Sequence, residues 1–377
     1  MKVLIAMDSF KGNFDSLTVA GIVERGIRKV YKDATIDKVA IADGGEGTVD
    51  AIVKTLNGRY ERIEVTGPMG SKVIAKYGIV DGNTAVIEMA EASGLALVPE
   101  NERNPLRAST YGTGELILDA INKGCTRIIM GIGGSATNDG GTGMARALGA
   151  RFLDSEGKEL DEGGGSLDSL ARIDISGMNE KIASTEFIVA CDVTNPLYGE
   201  KGASAVFGPQ KGADSEMVKT LDNNLRHYSE IVKRDLGIDV ANEPGTGAAG
   251  GLGYGLMVFC KARLTKGIEM VLDTIKIENR MKDVDVVITG EGRVDGQTVF
   301  GKVPVGIAAR AKKFGKPVFA IAGFMDEGAD LVYDHGIDAV MSSMIGPMTL
   351  QEAIEESESL IERASERLFR IIKAVRG

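Results

Sequence analysis

Four short segments carry most of the chain's chemically useful side chains: Asp8-Ser9-Phe10-Lys11, Asp43-Gly44-Gly45-Glu46, Asp192-Val193-Thr194-Asn195 and Glu291-Gly292-Arg293-Val294-Asp295. Carboxylates in such loops can hold a magnesium ion or act as a general base. Lys11, Arg293 and the nearby Lys302 can neutralise phosphate or carboxylate oxygens. Any one segment could equally be a turn or a helix cap. Each follows a short apolar run of strand length, however, and an open α/β sheet binds its ligands at the carboxyl ends of its strands. Strand topology alone could therefore bring several of them together.

The densest run of glycine is Gly131-Ile-Gly-Gly-Ser135-Ala-Thr-Asn138-Asp-Gly-Gly-Thr-Gly143, in which six of 13 residues are Gly. It follows the apolar run Arg127-Ile-Ile-Met130, so a strand ends in free backbone N–H groups with no Cβ to keep a phosphate away. Gly133, Gly134, Ser135, Thr137 and Asn138 are the resulting phosphate-cradle candidates. Gly131, Gly133 and Ala136 also satisfy a GxGxxA spacing, but Thr137-Asn-Asp-Gly140 is poor material for the helix a dinucleotide site needs. Gly296-Gln-Thr-Val-Phe-Gly-Lys302 has the GxxxxGK spacing of a phosphate-binding loop, with Val303 where Ser or Thr should ligate magnesium. Lys302 still stands just ahead of an expected helix N-terminus and suits an anion.

Histidine chemistry is a poor fit, because the two histidines, His227 and His335, lie outside every glycine-rich loop. Cys191 beside Asp192 could be a nucleophile, although a cysteine closing a core strand is more often buried and inert.

The elements that must position these groups follow a strand–loop–helix rhythm. Val3–Met7 reads as a strand, and Asp15 and Ser16 can cap a helix with Leu17, Ala20, Val23 and Ile27 on one face. Lys38–Ala42 repeats the strand, and Val49, Ile52, Val53 and Leu56 the helix. From about Tyr60 strand follows strand, at Arg62–Thr66, Val73–Val80 and Ala85–Ala90, which suggests hairpin-like or mixed pairing. Two long helices are expected, at Met217–Asp235 and Ile268–Met281. The first rhythm returns with a strand at Val284–Ile288, a loop at Gly290–Asp295 and a helix from Pro304. Thr349-Leu-Gln-Glu352 reads as a capping box before the C-terminal helix. The expectation is an α/β protein of two domains: a discontinuous Rossmann-like parallel-sheet domain, 1–64 and 283–377, and an inserted mixed α/β domain, 65–282.

Composition narrows the function classes. The net charge is -10 in 377 residues, which gives nucleic acid or a membrane surface no electrostatic footprint to bind. Cys125, Cys191 and Cys260 fit neither a metal motif nor a disulfide framework, as expected in a reducing cytoplasm. Met1–Met7 lacks the pattern of an export signal, and no apolar run is long enough to span a membrane. Glycine, at 50 residues, is in excess, and that excess belongs in loops of the kind that bind ligands.

With these residues in view, the chain resembles the bacterial type of the glycerate kinase family over essentially its whole length. The resemblance rests on Asp8-Ser-Phe-Lys11, Ala42-Asp-Gly-Gly-Glu-Gly-Thr48, Tyr111-Gly-Thr-Gly-Glu115, Gly131-Ile-Gly-Gly-Ser-Ala-Thr-Asn-Asp-Gly-Gly141, Ala190-Cys-Asp-Val-Thr-Asn-Pro-Leu197, Phe207-Gly-Pro-Gln-Lys-Gly212, Gly247-Ala-Ala-Gly-Gly251 and Thr289-Gly-Glu-Gly-Arg293. A small departure is Asn13-Phe14 after Gly12, where members more often carry small residues. The resemblance implies phosphorylation of D-glycerate by ATP with Mg2+, chiefly to 2-phospho-D-glycerate, in a cleft between two domains.

Placed onto the matching blocks, Asp192 or Asp43 takes the hydroxyl proton with Lys11 in the catalytic set. Ser9, Lys11, Gly44, Gly45 and Arg293 bind glycerate; Gly133, Gly134, Ser135, Thr137, Asn138 and Lys302 bind ATP; and Glu291 and Asp295 hold the metal. Competing readings are a 3-kinase, an NAD-dependent oxidoreductase on a small hydroxy acid and a non-catalytic glycerate sensor. The implied partners are small molecules, D-glycerate and ATP, with a homodimer left open as an assembly.

Overall fold

The computed structural model describes residues 1–10 and 12–376. The chain divides into two compact units, one of residues 1–43, 50–55 and 271–377 and the other of residues 44–49 and 56–270. The boundaries expected from the sequence lie at 64/65 and 282/283. In the structure the strand Arg59–Thr66 pairs wholly with Lys72–Val80, which carries it into the second unit.

The first unit is built on five parallel strands in the order Ala339–Ser342, Val318–Met325, Val286–Val294, Lys2–Met7, Thr35–Ala40. Its central strands are almost continuously apolar because helices cover both faces of a parallel sheet. Val3 to Met7 and Val286 to Ile288 are accordingly buried. Asp15 caps the helix Ser16–Arg28 by accepting the Thr18 N–H at 2.7 Å. Ser16 does something else: its hydroxyl donates to the Met7 carbonyl at 2.7 Å and accepts the Ile41 N–H at 3.0 Å, tying two strand ends together. Val19, Ile22, Val23 and Ile27 of that helix share a core with Ile361, Leu368 and Phe369 of the helix Ser357–Arg376.

The strand order contains a reversal. From Lys2–Met7 the chain moves outward to Thr35–Ala40, whereas from Val286–Val294 it moves the opposite way, to Val318–Met325 and then Ala339–Ser342. Where neighbouring strands send their connections in opposite directions, a crevice opens at their carboxyl ends. Here those ends are Met7-Asp8 and Glu291–Val294.

The second unit has a six-stranded mixed sheet in the order Arg263–Thr265, Glu186–Ala190, Arg127–Gly131, Thr84–Glu88, Lys72–Val80, Arg59–Thr66. The first four strands are parallel and the last two antiparallel additions, as the run of consecutive strands suggested. This sheet adds its strands in sequence order from one edge to the other and has no such reversal.

Several expected elements change: the strand expected at Lys38–Ala42 is Thr35–Ala40, and the helix expected after Thr349 is two, Leu350–Glu355 and Ser357–Arg376. The strand expected to stop at Ile288 runs on to Val294, because Glu291, Arg293 and Val294 pair with Ala322, Phe324 and Met325. The long helix expected at Ile268–Met281 is two, Gly267–Thr274 and Ile277–Met281, broken where Lys276 takes a left-handed φ of 53°.

Candidate active site

Because Val286–Val294 continues as a strand, Glu291 and Arg293, two residues apart, share one face, and Asp295 follows just beyond the strand's end. Their side chains form one connected set. Arg293 Nε lies 3.0 Å from Asp295 Oδ2 and its Nη2 2.9 Å from Asp326 Oδ2. Lys302 Nζ stands 3.5 Å from Glu291 Oε2 and 3.6 Å from Asp295 Oδ1. The Thr298 hydroxyl donates to Glu291 Oε1 at 2.7 Å, and the Gln297 N–H donates to Asp295 Oδ1 at 2.9 Å.

Lys302 is the residue ahead of the helix Val303–Lys312, which has proline in its first turn. The GxxxxGK spacing before it folds as a short 3-10 turn, Thr298–Phe300.

Glu291 and Asp295 are each only 7% exposed, yet their carboxyls shift in opposite directions. Burial pushes Glu291 up, and the Thr298 hydroxyl and Lys302 only partly offset it. Burial acts the same way on Asp295, but there the Gln297 N–H, Lys302 and Arg293 outweigh it and hold the carboxyl below its ordinary value.

A cavity of about 570 Å3 opens at the sheet's reversal, and Asp8, Ser9, Asp43, Glu291, Arg293 and Lys302 line its polar end. Asp8 is fixed by its N–H, which donates to the Gly290 carbonyl at 2.8 Å across the two strand ends. Three of the four acidic segments thus contribute to one cavity. Lys11 lies outside the described residues.

The fourth segment and the glycine-rich run lie in the second unit. Asp192 Oδ1 accepts the Gly267 N–H at 3.0 Å. Gly44, at φ +94°, packs on the same turn, where an added Cβ would come 2.5 Å from the Gly267 Cα; that contact explains glycine there. Gly45 receives the Thr48 hydroxyl on its carbonyl at 2.7 Å.

In the glycine-rich run only Gly133 and Gly134 are exposed. Thr137 and Asn138 are fully buried, Asn138 donating to Ser204 Oγ at 2.8 Å. Ser135 Oγ accepts from Lys211 Nζ at 2.7 Å. Asp139, fully buried, accepts from Thr110 N and Oγ1, both at 2.8 Å, and from Gly141 N at 3.0 Å. Most polar side chains of this run are therefore committed to holding their own loop. The helix Thr142–Ala147 starts at the far end of the run, capped by Gly141, and not from the exposed Gly133 and Gly134.

Asp8 belongs to one of the four acidic segments but has no role of its own in the sequence-based assignment, and Thr298, Asp326 and Lys211 have none either. Asp8 carried a usable signal, since it ends a buried strand as Asp43 nearly does; the others acquire partners only through the tertiary fold. Cysteine chemistry has no support. Cys191 is half-buried, its thiol is pushed up by burial, and it donates to the Val193 carbonyl at 3.3 Å. His227 Nε2 is engaged with the Leu170 carbonyl at 2.7 Å. Among the described residues no helix is long and apolar enough to cross a membrane, and no group of three or more His, Cys, Asp or Glu is placed to hold a metal ion.

Carboxylates and cations interleaved at the reversal of a parallel sheet define an α/β enzyme that handles a charged small molecule. The glycerate kinase family profile matches residues 3–373. The chain is 51% identical over 369 residues to the glycerate 2-kinase of Escherichia coli (strain K12), covering 98% of this chain and 97% of that one. It is 50% identical over 367 residues to the glycerate kinase of Halalkalibacterium halodurans, covering 97% of each. Its fold is similar to the crystal structure of a candidate glycerate kinase 2 from Salmonella typhimurium LT2, with a TM-score of 0.92 and 48% identity over 100% of this chain and 99% of that one. The chain belongs to the glycerate kinase family and is a phosphotransferase.

Proposed function

We propose that the protein transfers the γ-phosphoryl group of ATP to the 2-hydroxyl of D-glycerate, giving 2-phospho-D-glycerate and ADP. The observation that carries the reading is the convergence of Asp8, Asp43, Glu291, Arg293 and Lys302 on one cavity at the sheet's reversal. The name of the Escherichia coli relative supports the 2-position.

Phosphoryl transfer asks a protein for positioning, charge neutralisation and one group to accept the alcohol's proton. In this reading the hydroxyl oxygen bonds to the γ-phosphorus, the bond to the β-phosphate oxygen breaks, and ADP leaves. Asp43, which shares the cavity with Lys302, takes the proton. Asp192 instead orients the turn at Gly267, whose N–H its carboxylate accepts. Arg293 and Ser9 hold the glycerate carboxylate; the guanidinium carries five N–H donors, more than its two ion pairs use. Lys302 neutralises charge on the transferred phosphoryl group.

Glu291 and Asp295 are the carboxylates that would hold a magnesium ion, hard oxygen donors of the kind the ion takes, with Lys302 turned from them toward the phosphates. Magnesium held by one or two carboxylates and substrate phosphates would supply charge neutralisation of the polyphosphate there.

The test is a coupled assay for ADP with D-glycerate and MgATP, followed by enolase alone on the product. ADP release matched by enolase consumption is expected. No glycerate-dependent ADP overturns the reaction, and a product that enolase consumes only after a mutase is added overturns the regiochemistry.

A further inference from the structure

The cavity at the sheet's reversal has a second wall that the chemistry of glycerate does not explain. Besides the charged groups it is lined by Phe324, Met344, Leu350 and Ile354, with Asn13 and Ser357 beside Ile354. Its 570 Å3 falls within the roughly 300–1,000 Å3 of sites that enclose drug-sized ligands. Glycerate is a small acid with an oxygen on every carbon, and it has no apolar face to set against such a wall.

The wall is built deliberately. Thr349 and Glu352 form a capping box, the Thr349 side chain accepting the Glu352 N–H while the Glu352 carboxylate accepts the Thr349 N–H at 2.8 Å. That box fixes the start of the helix Leu350–Glu355, so Leu350, Ala353 and Ile354, three and four residues apart, fall on one face. Leu350 is left 66% and Ile354 43% exposed on a short helix that could have carried polar residues there. Phe324, on the strand beside Glu291 and Arg293, links the two ends: the Arg293 guanidinium carbon lies 5.8 Å from its ring centroid.

We propose that this wall is the subsite for the purine and ribose of the phosphoryl donor. The base lies against Phe324, Met344, Leu350 and Ile354, and the polyphosphate runs toward Lys302 and the Glu291–Asp295 pair. The nucleotide is then bound at the reversal of the parallel sheet and not at Gly133-Gly134, which follow a strand of a sheet without a reversal. The inference rests on the kinase reading and assigns its nucleotide a place.

The test is calorimetric titration with MgATP alone, without glycerate, of the wild type, the Leu350→Glu/Ile354→Glu double variant and Gly133→Asp. Leu350 is 66% and Ile354 43% exposed, so neither replacement enters a closed core; a thermal unfolding midpoint near that of the wild type checks that the fold is kept. Its ATP affinity should fall about tenfold or more, with KM for glycerate within about twofold of the wild type, tenfold being about 1.4 kcal/mol. Unchanged ATP affinity in the double variant overturns the subsite. So does weakened binding in Gly133→Asp with none in the double variant, or a self-association of the wild type that the double variant abolishes while its ATP affinity stays the same. A wild type that binds MgATP but transfers nothing to glycerate overturns the proposed reaction and leaves the subsite standing; one that binds no MgATP overturns both.

Discussion

Lys211 Nζ donates to Ser135 Oγ at 2.7 Å and to the Thr137 carbonyl at 2.6 Å, which pins the glycine-rich loop from beneath with a lysine that is 1% exposed. Burial drives its pKa from 10.5 down to about 7, against the attraction of Asp139. Two hydrogen bonds are what a neutral amine can donate, so the site suits the deprotonated side chain.

The first prediction concerns stability against pH. Above about 7 the folded chain holds Lys211 neutral, whereas the unfolded chain keeps it protonated up to its ordinary 10.5. The unfolded state then binds more protons, and stability must rise with pH across that window. Relative to Lys211→Met, wild-type stability should gain up to about 1 kcal/mol per pH unit between pH 7 and 9. Urea unfolding of both proteins at the two pH values measures this, and parallel pH slopes would refute it.

Glu291 supplies a second, with its own sign. Its carboxyl is raised by burial and brought partly back by the Thr298 hydroxyl, which favours the charged form. Thr298→Val removes that bond, so Glu291 protonates more readily and the acid limb of kcat/KM moves to higher pH. Thr298→Ser keeps the hydroxyl and should restore the wild-type limb. Superimposable acid limbs for wild type and Thr298→Val would show that Glu291 is not the group titrating.

Asp43 and Asp192 can be separated by the same substitution. Asn retains a carbonyl oxygen, so Asp192→Asn can keep the hydrogen bond from the Gly267 N–H while the negative charge is lost. Asp43→Asn should lower kcat by about 10²–10⁴-fold, the usual worth of a general base, with little change in KM for ATP. Asp192→Asn should cost far less. If steady-state kinetics give the reverse order, Asp192 is the base.

Gly250 tests how the loop is held. Its φ is +67°, and an added Cβ would run into the Thr137 carbonyl and stand 2.6 Å from the Asn138 Cα. Gly315 has a similar φ of +64° with no atom within 4 Å of the same added carbon. Gly315→Ala therefore isolates the left-handed backbone term, about 1 kcal/mol, and Gly250→Ala should cost at least about 2 kcal/mol more. Equal losses in denaturant unfolding would mean that the loop yields freely.

The features legible in the sequence were those set by neighbours along the chain. The buried strand at Val3–Met7, the Asp15 cap and the Thr349–Glu352 capping box are patterns of side chains a few residues apart, and the structure keeps them; the strand expected at Lys38–Ala42 is there too but shifted, as Thr35–Ala40. The ordered blocks were also enough to indicate the family.

Which glycine-poor or glycine-rich segment faces a ligand was not legible, because that depends on strand order, and one order with a reversal and one without can follow equally apolar strands. Pairing with Val318–Met325 extended Val286–Val294 and put Glu291 and Arg293 on one face, with Asp295 just beyond, where the sequence suggests a loop. Packing filled the glycine-rich run from below with Lys211, which stands 76 residues from Ser135 in sequence. Local sequence thus determined the elements and the inventory of charged groups. The tertiary fold decided which of those groups share a cavity and which are consumed holding a loop, since burial and hydrogen-bond partners are properties of residues that the chain brings together from far apart.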